Sequence, residues 1–163
     1  MEKTLECNYY ATVRACRTFI ALLKPAGRVV NVASTAGSLD KYAPAVRGRF
    51  LAAQSASDVD ALMREFHAAV SAGREKDEGF PSAAYAVSKA GLIGGTRALA
   101  REFAGVEVVS CCPGYVNTDM SKGNGTSSPD EGARTPVWLA MREFGGKNGG
   151  FFKGEREVEW EEL

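Results

Sequence analysis

The chain has 163 residues, 45% hydrophobic and 25% charged, which fits one globular domain with a real core. Twenty basic side chains balance twenty acidic ones, so the charge points to neither nucleic acid nor a membrane surface as partner. No apolar run approaches the length of a membrane span, and Glu2, Lys3, Glu6, Arg14 and Arg17 are wrong for a secretory signal. The four cysteines, Cys7, Cys16, Cys111 and Cys112, have no C-x-x-C spacing and no look of a disulfide framework. The adjacent pair would point to opposite faces of a strand, which suits neither a metal site nor a bridge. A cytoplasmic protein with reduced thiols and no metal is expected.

From Thr4 to Leu23, the positions Leu5, Tyr9, Val13, Cys16, Ile20 and Leu23 recur at threes and fours, predicting an amphipathic helix. Lys24-Pro25-Ala26-Gly27 stops it. Arg28 to Ser34 reads as a buried β-branched strand ending in a small polar loop. Asp40 to Gln54 reads as irregular. Ser57-Asp58-Val59-Asp60 predicts a capped helix start, followed by the stripe Val59, Leu62, Met63, Phe66, Ala69 and Val70. His67, the only histidine, lies off that stripe and reads as a surface residue. No G-x-S-x-G is present, so a hydrolase triad is excluded.

A long helix is expected over about 82–103, and the glycines 91, 94 and 95 within it imply close approach of a sheet or another helix. Val106 to Cys112 predicts a second buried strand, broken by Pro113-Gly114. Residues 121–128 form a Gly/Ser-rich loop, and Ser128-Pro129-Asp130-Glu131 opens a further helix with a capping box. Pro136 predicts a kink or a restart within it. A turn at Gly145 to Gly150 leads through Phe151-Phe152 into a short last strand.

Tyr85 and Lys89 stand four apart near the start of the long helix, hence on one face about a turn apart. A phenol with an ordinary pKa of about 10 is a poor acid or base near neutrality, and a nearby ammonium favours its ionised form. By itself the pair reads equally as a solvated helix face. Taken with strand ends at Ser34 and Pro113-Gly114 it becomes a constellation, because ligands of open parallel sheets bind outside the carboxyl ends of the strands.

Arg28-Val29-Val30-Asn31-Val32-Ala33-Ser34, Ser82-Ala83-Ala84-Tyr85-Ala86-Val87-Ser88-Lys89 and Cys112-Pro113-Gly114-Tyr115-Val116-Asn117-Thr118 resemble three motifs of the short-chain dehydrogenase/reductase superfamily. The 50 residues between Ser34 and Tyr85 resemble the long connection of its monomeric carbonyl reductases. The resemblance implies an α/β fold: the C-terminal part of a doubly wound, Rossmann-like sheet, about three parallel strands with flanking helices. Residues 1–163 would be one partial domain, with 38–81 as a carbonyl-reductase-type insertion.

The resemblance also implies an NADPH-dependent reductase of ketones, aldehydes or quinones, a monomer acting on a small molecule. Its catalytic set would be Asn8, Ser34, Tyr85 and Lys89. Tyr85 would act as proton donor, Ser34 as a hydrogen bond to the carbonyl oxygen, and Lys89 as the partner of the phenol and the nicotinamide ribose. Asn8 would support a water path to Lys89. Tyr85, Lys89, Pro113, Gly114, Val116 and Thr118 would contact the cofactor. Cys112, beside the site, fits core packing, with a reactive thiol as the other reading. The superfamily's opening strand, glycine-rich turn and helix are not found, and Gly123-Asn124-Gly125 is a poor substitute. A C-terminal fragment is therefore expected, and an inactive remnant acting at most as an interaction module is the alternative.

Overall fold

A computed structural model describes residues 1–141 and 147–163. Two β-branched runs lie side by side at its centre. Strand β1 (Arg28–Val32) pairs in parallel with β2 (Glu107–Cys112), and β2 with β3 (Phe151–Lys153). Arg28 stands opposite Glu107, and its Nε donates to Glu107 Oε2 at 2.6 Å, a charged pair that pins the register. From Val108 to Cys112 every residue of β2 is buried, as a strand covered on both faces must be. β1 is the end strand, and its Val32 is exposed.

The three parallel strands are as expected, and a fourth strand is an addition. β4 (Arg156–Val158) folds back antiparallel on β3, giving the order β1-β2-β3-β4. Gly154 and Glu155, at φ 58° and 60°, make the two-residue turn between them, whose backbone twist suits a hairpin. Of the expected turn at Gly145 to Gly150, the first two residues lie outside the described chain; Gly150 N donates to Lys147 O at 2.8 Å.

The first helix differs in detail from the expected single run. α1 (Glu2–Leu5) passes through a wide π turn (Glu6–Tyr10) into α2 (Ala11–Ile20). Leu5, Tyr9, Val13, Cys16 and Ile20 are buried as the periodicity requires. The helix ends at Ile20 because the chain tightens there, with Leu23 N bonded to Ile20 O. A second correction concerns 40–54, which contains α3 (Pro44–Ala52) with proline at its first turn. Only Val46 and Phe50 of that helix are buried, so it has no apolar stripe to read.

The cap of α4 (Ala56–Ser71) lies two residues before the expected Ser57. Ser55 is the cap, bonded reciprocally with Asp58, whose carboxyl is held below the usual range by the Ser55 backbone N–H and hydroxyl. α5 (Ala84–Glu102) matches its expected span, and α6 (Pro129–Met141) starts where expected. Ser128 and Glu131 form the anticipated capping box, and α6 runs through Pro136 without restarting.

Val59, Leu62, Met63 and Phe66 carry α4 onto α5, each gaining about 2 kcal/mol from burial. At Gly91 a Cβ would lie 2.6 Å from Met63 Sδ, so the glycine marks the close approach of a helix, not of the sheet. The Tyr9 hydroxyl donates to Asp60 Oδ1 at 2.7 Å, tying the π turn to α4. Burial, then that bond, pushes the Tyr9 phenol far up. No described helix is long and apolar enough to cross a membrane.

Tyr42 is buried against Phe50 and Phe80, yet its hydroxyl has no partner among the described residues. A buried hydroxyl without a bond costs about 1–3 kcal/mol. Tyr42→Phe is therefore expected to leave stability unchanged or to raise it by about 1 kcal/mol in urea unfolding. A clear loss of stability would mean that the hydroxyl is bonded.

Candidate active site

The cleft residues gather beyond the ends of β1 and β2 and in the first turns of α5. Ser34 follows β1 in extended backbone and caps the turn Thr35–Gly37, its Oγ accepting from Ala36 N at 3.1 Å. It therefore acts as a cap, but the cap uses only a lone pair. Its own O–H remains available as a donor. Tyr85 lies in the first turn of α5 and is 46% exposed, its ring facing the same rim.

Lys89, one turn further on, reaches back to the end of β1. Its Nζ donates to Val32 O at 2.9 Å and stands 5.6 Å from the centre of the Tyr85 ring. Burial pulls its pKa below that of an ordinary lysine, opposed by the neighbouring cysteines, Cys112 first. The thiol of Cys111 is pushed up to about 12, chiefly by burial, which makes it a packing residue.

Between the ends of β1 and β2 opens a cleft of about 1080 Å³. Ser34, Tyr85 and Lys89 form one side, while Pro113, Gly114, Val116 and Thr118 form another. Seven of the eight residues singled out from the sequence thus line one cavity. Asn8 does not line it. Its Nδ2 donates to Ser88 Oγ at 3.1 Å, and Ser88 Oγ donates to Tyr85 O at 2.7 Å. The π turn offers Asn8 to the residue beside Lys89 instead of to Lys89 itself.

Thr35, Met120 and Lys153 also line the cleft and were missed from the sequence. Lys153 ends β3, so the strand-end rule that found Ser34 and Pro113 could have found it too. Cys112 completes the floor, with Gly114 N donating to its Sγ at 3.4 Å. The apolar floor and the donors at one rim fit a flat heterocycle carrying a hydroxylated sugar, which is the nicotinamide half of a dinucleotide.

Comparison with known proteins points the same way. The short chain dehydrogenase family model matches residues 68–128. Carbonyl reductase (NADPH) 1 of Homo sapiens is 35% identical over 170 residues, covering 98% of this chain and 61% of that protein. Carbonyl reductase (NADPH) 3 of Rattus norvegicus is 37% identical over 149 residues, 86% of this chain and 54% of that one. Among solved structures, salutaridine reductase from Papaver somniferum superposes with a TM-score of 0.86 at 30% identity, over 93% of this chain and 54% of that chain. The chain thus spans about 61% of the length of the human relative. In sequence and in its mostly parallel open sheet, the chain is similar to the short-chain dehydrogenase/reductase family over the span it shares with these relatives.

Proposed function

We propose that this chain carries the catalytic half of an NADPH-dependent reductase of ketones, aldehydes or quinones. The observation that carries the reading is the convergence of Ser34, Tyr85 and Lys89 on one side of an apolar cleft. NADPH, when bound, supplies the hydride to the carbonyl carbon. The residues of the chain handle the oxygen. The Tyr85 hydroxyl gives its proton to that oxygen, and the free O–H of Ser34 donates a hydrogen bond to it as charge develops. Lys89 holds positive charge 5.6 Å from the phenol ring, and the protons on Nζ not used by Val32 O would hold the ribose hydroxyls of the cofactor. Pro113, Gly114, Val116 and Thr118 would hold the nicotinamide side of the cofactor. Asn8 acts through Ser88, steadying the first turn of α5, and a water path from it to Lys89 returns the proton.

In this reading residues 1–163 are one partial Rossmann-type domain and 38–81 an insertion whose helix α4 covers α5. That cover occupies a surface other reductases could use for pairing, so the protein is a monomer. It works in the cytoplasm on small carbonyl compounds, with its thiols reduced. In a preparation that consumes NADPH against a quinone or ketone, Tyr85→Phe is expected to lower kcat about a hundredfold or more with cofactor affinity nearly intact. Lys89→Ala is expected to damage both. A Tyr85→Phe protein keeping most of its rate would end the proton-donor assignment.

One observation favours a second reading for these 163 residues taken alone. Among the described residues, no tight glycine-rich turn leads directly from a strand into a helix, the feature that grips a pyrophosphate. Gly123-Asn124-Gly125 lies in the connection from β2 to α6, but a short turn (Asp119–Ser121) separates it from the strand, so it is not a tight strand-to-helix turn. On this reading the polypeptide is an inactive fragment that serves at most as an interaction module. Titration calorimetry of the 163-residue chain with NADPH then gives no measurable binding at micromolar concentrations, whereas micromolar affinity would return the reductase reading to this polypeptide.

A further inference from the structure

The last residues of the chain lie over the turn that carries Ser34. After β4 a short turn (Trp160–Glu162) buries Trp160 to 3% exposure. Its ring meets Phe50 edge-on at 5.9 Å, and the Arg97 guanidinium stands 5.5 Å from its centre. Its Nε1 donates to the carbonyl of Gly37 at 2.9 Å. Two further bonds fasten the same segment: Ser38 Oγ to Leu163 O at 2.7 Å and Arg47 Nη2 to Glu161 O at 3.2 Å.

Gly37 is where this strap meets the turn whose Ser34, Thr35 and Ala36 line the cleft. Its N–H donates to Ser34 O at 3.0 Å, closing the turn that Ser34 caps. On its other side it presses against α5, where a Cβ would lie 2.8 Å from the carbonyl carbon of Lys89 and 2.9 Å from Ala90 N. No side chain fits between the turn and the helix, so the carbonyl of Gly37 is the handle by which the turn can be held. Ser34 and Lys89 are therefore joined through one glycine, and the indole N–H grips that glycine.

We propose that Trp160 is a positioning residue of the cleft, its indole N–H fixing the turn of Ser34 against the backbone of Lys89. This rests on the reductase reading for its catalytic meaning, but not for its test. An aromatic ring against Phe50 and Arg97 is kept by phenylalanine, whereas the bond to Gly37 O needs the N–H. Its loss leaves a carbonyl in a buried corner with one partner fewer.

The test is Trp160→Phe in the 163-residue chain, which keeps an aromatic ring against Phe50 and Arg97. Amide exchange followed by NMR is expected to rise about three- to tenfold at Ala36, Gly37 and Ser38, with Val108 and Val109 of β2 unchanged. In the same samples the ε-methylene titration of Lys89 is expected to move up toward that of exposed lysines, since lifting the turn readmits water to a group held down by burial. Faster exchange with the Lys89 titration unmoved would make Trp160 a loop anchor with no bearing on the cleft, and would overturn the proposal. Unchanged exchange would overturn it as well. Should Trp160→Phe fail to fold, Ser38→Ala removes the strap's bond to Leu163 and is read by the same two signals. Neither signal needs cofactor or turnover, so failure here is separable from failure of the Tyr85→Phe assay.

Discussion

Helix α5 is buried along nearly all its length, and the small residues on it set how closely every other element approaches. Ala90, Gly91, Gly94, Gly95 and Ala98 leave room for Met63 and Val59 of α4, Tyr9 and Val13 of the first helix, and the ring of Trp160. Interiors are packed as densely as organic crystals, so neighbours this close leave little freedom to slide. The helix contributes little propensity of its own, since three glycines cost about 1 kcal/mol each relative to alanine. Its stability comes from being surrounded. That environment fixes the azimuth of α5, and with it the direction in which Tyr85 and Lys89 leave its first turns.

Holding a lysine partly out of water is costly, and the fold limits the cost in a specific way. Lys89 is given a backbone carbonyl, Val32 O, at the point where β1 stops pairing with β2. A carbonyl satisfies one ammonium proton without neutralising the charge, so the cation still acts on the nearby phenol. A carboxylate there would have stabilised the ammonium better and cancelled its field. Among the described residues, the nearest groups that oppose the effect of burial on Lys89 are the thiols of Cys112, Cys7 and Cys111.

Sequence reasoning reached what repeats and what stops. β1, β2, α4 and α5 announce themselves by period and by β-branched runs, and Ser34, Pro113 and Gly114 lie where those runs end. Lys153 obeyed the same rule and was passed over because β3 has only three residues. The π turn at Glu6–Tyr10 was hidden, because inserting one residue per turn leaves the apolar spacing of Leu5, Tyr9 and Val13 intact. Asn8 was picked out, yet its partner Ser88 could be known only once that turn had rotated it. α3 was hidden for the opposite reason, since two buried residues make no stripe. The left-handed backbone of Glu155 hid the turn into β4, a position where sequence rules expect glycine or asparagine.

What sequence could not supply was the tertiary closure of the cleft from its two distant sides. Asp60, in the connection between Ser34 and Tyr85, bonds the hydroxyl of Tyr9 and so fastens the turn that presents Asn8. Trp160 bonds Gly37 and so fastens the turn that presents Ser34. Both contacts join a buried ring to a polar partner more than fifty residues away, and in both the ring supplies burial while a single hydrogen bond supplies direction. Apolar packing alone would tolerate small rotations of either turn, because hydrophobic contact is not directional. A bond of 2.7 Å or 2.9 Å does not tolerate them, since its strength falls steeply as donor and acceptor leave alignment. The long connection and the chain's final turn therefore do more than cover α5: one aligns the turn that carries Asn8 and the other the turn that carries Ser34.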